Sequence, residues 1–348
     1  MDPKDKRDIH VVKYFSSFVS VSDGRVIYVT EPRLVFCPLA QHLYDCFKGL
    51  PGNDKGRIKE AIKSAVESKI KDYGFFTHKR KFLCGDISIP YGASEMLMFA
   101  LRKKAIDAAV VVCEGAGTVV TASPEVVQGI GGRMNNVLLT SPIKGIVEKL
   151  KQAGCRVISE NALIDQSRGV KEAIGAGHKT IAVTVSGHSA DVLKTARLLE
   201  KEGGIKLIML VVCTTGITED KIALVRDHAD LVWSCASSDV RRMIGPWAKC
   251  QLSRQIPVFV LTKKGVDFVS AYADESELIK NLDVGKQYLF SSGTCGRCVH
   301  MGGFKAYITE AALPVHARRL PRFEDKPFLF RERDKILREG YAYEKYGE

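Results

Sequence analysis

The chain has 348 residues, 45% of them apolar and 26% charged, with a formal net charge of +12, a balance that fits a globular protein with a sizeable hydrophobic core. No apolar run approaches the roughly 18 residues that span a bilayer, and MDPKDKRDIH has no hydrophobic segment behind its charges, so the expectation is a cytoplasmic protein without a secretory signal or membrane partner. Ten cysteines scattered through such a chain read as free thiols or metal ligands, and not as a disulfide framework.

Residues 1–80 read as a small β-rich N-terminal segment followed by a basic amphipathic helix. VVKYFSSFVSV, GRVIYVT and RLVFC are short β-type runs separated by turn signals at Asp23-Gly24 and Glu31-Pro32. Ile58, Ile62, Val66 and Ile70, with Ala61 and Ala65 beside them, mark the apolar stripe of a helix capped near Asn53 or Asp54. Lys55, Lys59, Lys63 and Lys69 are expected to face largely elsewhere. Between Lys48 and Lys81 ten basic residues stand against four acidic ones. Such a face is usually solvated; otherwise it suits an acidic protein partner or an anionic substrate. Nucleic acid is disfavoured, because no recognition motif accompanies the charge.

Residues 81–273 read as a doubly wound α/β core with a mostly parallel sheet. After a helix at 93–104, apolar strands are predicted at 108–113, 155–160, 179–185, 206–213, 230–235 and 256–261, with 135–140 as a seventh candidate. Amphipathic helices are predicted at 142–152, 166–176, 190–201 and 219–228. Apolar strands alternating with helices imply a sheet covered on both faces, and too few strand–helix units are present for a closed eight-fold barrel. Residues 274–348, rich in mixed charge with prolines at 314, 321 and 327, are expected to form an irregular wrapping tail with a short helix near 330–339.

In a doubly wound sheet the ligand crevice lies beyond the carboxyl ends of the parallel strands. Cys113, Cys213 and Cys235 each close such a strand, so they are expected at one rim as nucleophiles or ligands. A thiolate beside helix N-termini would be activated, and three together could hold a soft metal or an iron–sulfur cluster. An inert buried cysteine is the alternative at each position. The adjoining loops supply Glu114, Gly115 and Gly117, then Thr214 and Thr215, and His188 in SGHS. QGIGGRMNN offers Gly131 and Gly132 as a backbone nest, with Arg133 as a fork for a carboxylate, sulfonate or phosphate. Cys295-x-x-Cys298 with His300 has the ligand spacing of a zinc or iron site, although a closed zinc site needs a fourth ligand, for which Cys250 or His316 are candidates. Walker, nucleophile-elbow and zincin motifs are absent.

CPLA (37–40), CEGAGTVV (113–120), PEVVQGIGGR (124–133), CTTGI (213–217) and SCAS (234–237), in this order, resemble the methanogenesis marker protein 8 family over residues 10–272; the tail is not covered. The resemblance implies an archaeal accessory or maturation factor linked to methyl-coenzyme M reductase, the nickel-tetrapyrrole enzyme that makes methane, or to its maturation proteins or thiol coenzymes such as coenzyme M. Such a coenzyme would suit cysteines beside helix N-termini and Arg133. The alternatives are a non-catalytic assembly protein docking through the basic helix and charged tail, and an iron–sulfur or zinc redox protein.

Overall fold

In the computed structural model, which describes residues 8–50, 54–82 and 85–323, the valine-rich runs build two principal sheets. The N-terminal strands are β1 (His10–Tyr14), β2 (Ser17–Ser22), β3 (Arg25–Val29) and β4 (Leu34–Phe36). Next come β5 (Ala108–Cys113), β6 (Gly117–Thr121), β7 (Asn136–Thr140), β8 (Arg156–Val157), β9 (Thr180–Ser186), β10 (Lys206–Val212) and β11 (Leu231–Trp233). The rest are β12 (Cys250–Leu252), β13 (Val258–Val260), β14 (Tyr288–Ser291), β15 (Arg297–Met301), β16 (Phe304–Glu310) and β17 (Arg322–Phe323).

The large sheet has the order β15-β16-β14-β12-β13-β11-β10-β9-β5-β6-β8. Its centre, β5, β9, β10 and β11, runs parallel. Successive side chains on a strand point to opposite faces, and here both faces are buried. Ala109, Val111, Ile208 and Leu210 face one hydrophobic cluster, whereas Ala108, Val110, Leu207 and Met209 face the other. Helices Ala93–Arg102, Pro124–Gly131, Lys144–Gln152 and Lys263–Ser270 cover the first face. Helices Gln166–Gly175, Val192–Gly203, Glu219–His228 and Ser238–Ile244 cover the second. The protein is therefore of the mixed α/β class with helices on both sides of its sheet.

The small antiparallel sheet has the order β3-β2-β1-β7. Its inner face packs on helix Lys55–Tyr73, which buries Ile58, Ala61, Ile62, Ala65 and Val66. That helix begins where Asp54 accepts a hydrogen bond from the Arg57 amide, and it ends at Gly74 in a left-handed conformation, a common way to stop a helix.

Several elements differ from the sequence expectation, each for a local reason. Residues 136–140 form β7 in the small sheet, because they pair antiparallel with β1. Residues 117–121 form β6, which folds back on β5 with Cys113 opposite Gly117. Of 155–160 only Arg156–Val157 is strand. In the C-terminal stretch, β14–β16 extend the large sheet before the chain turns irregular. The helix expected near 330–339 lies outside the described residues.

Candidate functional site

A cavity of about 380 Å³ opens where the small sheet meets the carboxyl edge of β9–β11. Lys13 and Tyr14 reach it from β1, Asn136 from β7, Ser186 from β9, Cys213 from just after β10, and Cys235 from just after β11. Cys37 and Tyr44 from the segment after β4, Lys69 from the basic helix, and Arg133 complete its polar lining. The floor is apolar, with Val111, Val127, Ile130 and Trp233.

The backbone around this cavity is unusual. Among the described residues, eleven that are not glycine have a left-handed φ: Phe15, Ser16, Asp23, Phe76, Tyr91, Lys104, Arg133, Ala162, Cys213, Cys235 and Ser253. Five of these, Phe15, Ser16, Arg133, Cys213 and Cys235, line the cavity. Residues held in that region cost about 1–3 kcal/mol each and gather at functional sites. At Phe15-Ser16 the strain is held by local contacts: Phe15 stacks on Phe47 with centroids 4.9 Å apart, and Ser16 Oγ accepts hydrogen bonds from the Arg33 and Leu34 amides at 3.0 and 2.6 Å.

One end of the cavity carries the thiols. Burial pushes the Cys213 thiol up to about 12, helped by neighbouring Cys235 and opposed by Lys13. Burial also raises Cys37 to about 11, with the Leu39 and Ala40 amides opposing. Both are therefore protonated thiols at neutral pH. Burial lowers Lys13 to about 8, partly offset by attraction to Cys213 and Cys235. Its ammonium lies 2.7 Å from His188 Nε2 and also donates to the Thr215 carbonyl. Burial, and then Lys13 and Lys221, hold His188 down at about 3, so it is a neutral acceptor at physiological pH. Arg241 donates to the Cys235 carbonyl at 2.5 Å and is itself buried. Two thiols at the ends of adjacent strands thus stand beside an amine, Lys13, that can give up its proton near neutral pH.

The opposite end is cationic. Lys69 was expected on the outer face of its helix but is buried, because it continues the Ile58–Ile62–Ala65 stripe at four-, three- and four-residue steps. Its ammonium sits 4.5 Å from the Tyr14 ring centroid and 5.4 Å from that of Tyr44, and donates to Asn135 Oδ1. Burial lowers it to about 7, with the like charge of Arg133 next in importance. Arg133 lies over the Tyr73 ring at 5.0 Å.

The structure brings Cys213, Cys235, Thr215 and Arg133 to this cavity with Gly131, and places His188 directly behind Lys13. It sets the CEGAG segment apart. Cys113 is fully buried in the aliphatic core, and its thiol hydrogen-bonds to its own neighbour Glu114, 3.2 Å from the carbonyl. The reason is the hairpin: Gly115 and Gly117 are the left-handed residues of a tight β5–β6 turn, and not a rim loop. A side chain on Gly117 would come within 2.4 Å of the Ala162 carbonyl oxygen, so the close approach is to the protein's own backbone. Glu114 turns inward to Arg80 Nε at 2.5 Å, both nearly solvent-free. Thr214 is likewise buried, donating to the Trp233 carbonyl at 2.7 Å.

Nor is 128–136 a nest. Gly129 and Gly131 lie within helix Pro124–Gly131 and Gly132 caps it. Gly129 is pressed against the Phe82 carbonyl and Gly131 against Ser94, so these glycines serve helix packing. In the C-terminal stretch Cys295 and Cys298 are exposed. His300 shares the solvent face of β15 with Cys298, but its Nδ1 is 3.0 Å from Glu275 Oε1. Cys250 is buried on β12. Among the described residues no three Cys, His, Asp or Glu side chains are grouped to hold a metal ion. Nor is any helix of the described residues long and apolar enough to cross a membrane. Sequence reasoning missed Lys13, Lys69, Tyr14 and Cys37 as cavity residues; the lysine's place in the helical stripe was the available signal.

Fold and cavity together define a three-layer α/β protein with a thiol- and amine-lined chamber at the edge of its sheet. Residues 10–273 match the model of a family described as an uncharacterized protein conserved in archaea (DUF2099), and the chain belongs to that family. An uncharacterized protein of Methanocaldococcus jannaschii is 38% identical over 276 residues, covering 78% of this chain and 93% of the relative.

Proposed function

We propose that the chain binds a small sulfur-bearing anion in this cavity and serves as an accessory or maturation factor in methyl-coenzyme M reductase metabolism. The observation that carries the first half is the convergence of Cys37, Cys213 and Cys235 with Lys13, Lys69 and Arg133 around one cavity. Thiols suit a sulfur substrate, and buried cations favour an anion that restores the solvation they lost. The second half is supported by the likeness of CPLA, CEGAGTVV, PEVVQGIGGR, CTTGI and SCAS, in this order, to the methanogenesis marker protein 8 family, and by a relative from a methanogen.

The test is alkylation of anaerobically prepared protein with iodoacetamide, read cysteine by cysteine by mass spectrometry, with and without 2-mercaptoethanesulfonate. At ligand tenfold above its dissociation constant, modification of Cys213 and Cys235 should slow about tenfold, the factor set by simple occupancy. Cys113 should stay unmodified in both, and Cys213→Ser should weaken binding. Equal rates with and without ligand would remove the reading. Anaerobic co-purification with methyl-coenzyme M reductase tests the accessory role, and its absence at low salt would count against that half.

A further inference from the structure

Charge is unbalanced at the tyrosine-lined end of the cavity. Lys69, over the Tyr14 and Tyr44 rings, and Arg133, over the Tyr73 ring, both line this end, and among the described residues neither forms an ion pair with a carboxylate. The nearby acid, Glu114, is already held by Arg80 at 2.5 Å. Glu95, the acid that lines the cavity, is saturated elsewhere: it accepts from the Ser88 amide, Ser94 Oγ and Gln128 Nε2 at 3.1, 3.0 and 3.1 Å. A second observation points to a missing acceptor. The Tyr14 hydroxyl is buried, belongs to a cavity residue, and has no hydrogen-bond partner among the described residues. A buried donor left without an acceptor costs about 1–3 kcal/mol.

We propose that Lys69, Arg133 and the Tyr14 hydroxyl form an oxyanion-binding end of the cavity whose ligand is a dianionic phosphate monoester. This deepens the reading above, and rests on it, by naming the anionic group that would accompany the sulfur. A bound dianion would hold both groups charged, and two such cations match one group of charge close to −2, which a phosphate monoester carries at neutral pH. A carboxylate or a sulfonate would neutralise only one of them. Three phosphate oxygens also give the ammonium, the guanidinium fork and the hydroxyl an acceptor each.

The experiment is calorimetric titration of the full chain with butyl phosphate, butanesulfonate and butyrate, which share a tail and differ in the head. Butyl phosphate should bind at least about tenfold tighter than the other two, and Lys69→Met should remove at least about tenfold of that affinity, the scale on which loss of one buried charge partner is felt. Arg133→Gln, at a half-exposed position, makes the same test if the first variant does not fold. Equal affinity for the three heads, no binding of butyl phosphate, or binding unchanged in both variants would overturn the proposal. Butane-1-thiol separates the two readings. If it shields Cys213 and Cys235 from alkylation while butyl phosphate does not bind, the sulfur site stands and the phosphate end falls.

Discussion

Glu114 and Arg80 form a pair that a change of one atom would break. Their ion pair lies in the core with side chains 0% and 2% accessible, and Arg80 also donates to the Gly129 carbonyl at 2.7 Å and sits 3.6 Å from the Phe75 ring centroid. Replacing a carboxylate oxygen by an amide leaves the guanidinium without its counter-charge. Breaking such a pair costs about 3–5 kcal/mol, more than the net worth of the pair itself. Glu114→Gln should therefore lower the urea midpoint by that amount of stability while leaving Cys213 and Cys235 as reactive as before. A variant of wild-type stability would show that the pair is not closed in solution. The sequence showed an acid beside a cysteine but not its partner, which lies 34 positions away.

At the scale of elements, the packing of helix Pro124–Gly131 against the Phe82 backbone and against Ser94 of helix Ala93–Arg102 depends on small residues. In an exposed helix, Gly→Ala is worth up to about 1 kcal/mol of stabilisation. At Gly129 the added carbon would stand 1.3 Å from the Phe82 carbonyl oxygen. Overpacking of that kind costs about 1–3 kcal/mol or more, so the steric effect wins and Gly129→Ala should destabilise. A thermal melt showing a raised midpoint would contradict this. The same glycines show how much of the chain was legible. PEVVQGIGGR announces a helix start at Ser123-Pro124, and the structure has one there; whether the glycines faced ligand or protein depends on what the tertiary fold presses against them. Long periodic elements such as Lys55–Tyr73 and β9–β10 follow from local pattern. β6, β12 and β14–β16 do not, because they are short runs whose strand character comes from their neighbours in the sheet. Lys13 reads as an ordinary polar position in a strand, and only the approach of β10 and β11 makes it part of a site.

For the molecule as a whole, buried amines tie stability to pH. Lys13 and Lys69 fall from 10.5 to about 8 and about 7 on folding, chiefly through burial. Between those values and 10.5 the unfolded chain binds more protons than the folded one, so stability rises with pH there. Below about pH 7 the penalty is complete. His188, lowered by burial from 6.5 to about 3, adds a second rising window from pH 3 to 6.5. Cys37 and Cys213 act oppositely above pH 9, where their raised values keep protons the unfolded chain has lost. Stability by urea titration should therefore climb from pH 7 to 9, and Lys69→Met should flatten part of that climb. A flat or falling profile in the wild-type protein would argue against both amines being buried.

One strand links this architecture to how the protein is made. β1, at residues 10–14, borders β7, at residues 136–140. At translation speeds of about 5–20 residues per second, the first strand leaves the ribosome about 6–25 s before its neighbour. Until then only the β1–β3 meander exists, with one edge of β1 open to other chains. The chamber is consequently a late product of biogenesis, and a nascent chain stalled before residue 136 would carry the lysines without any place to enclose them.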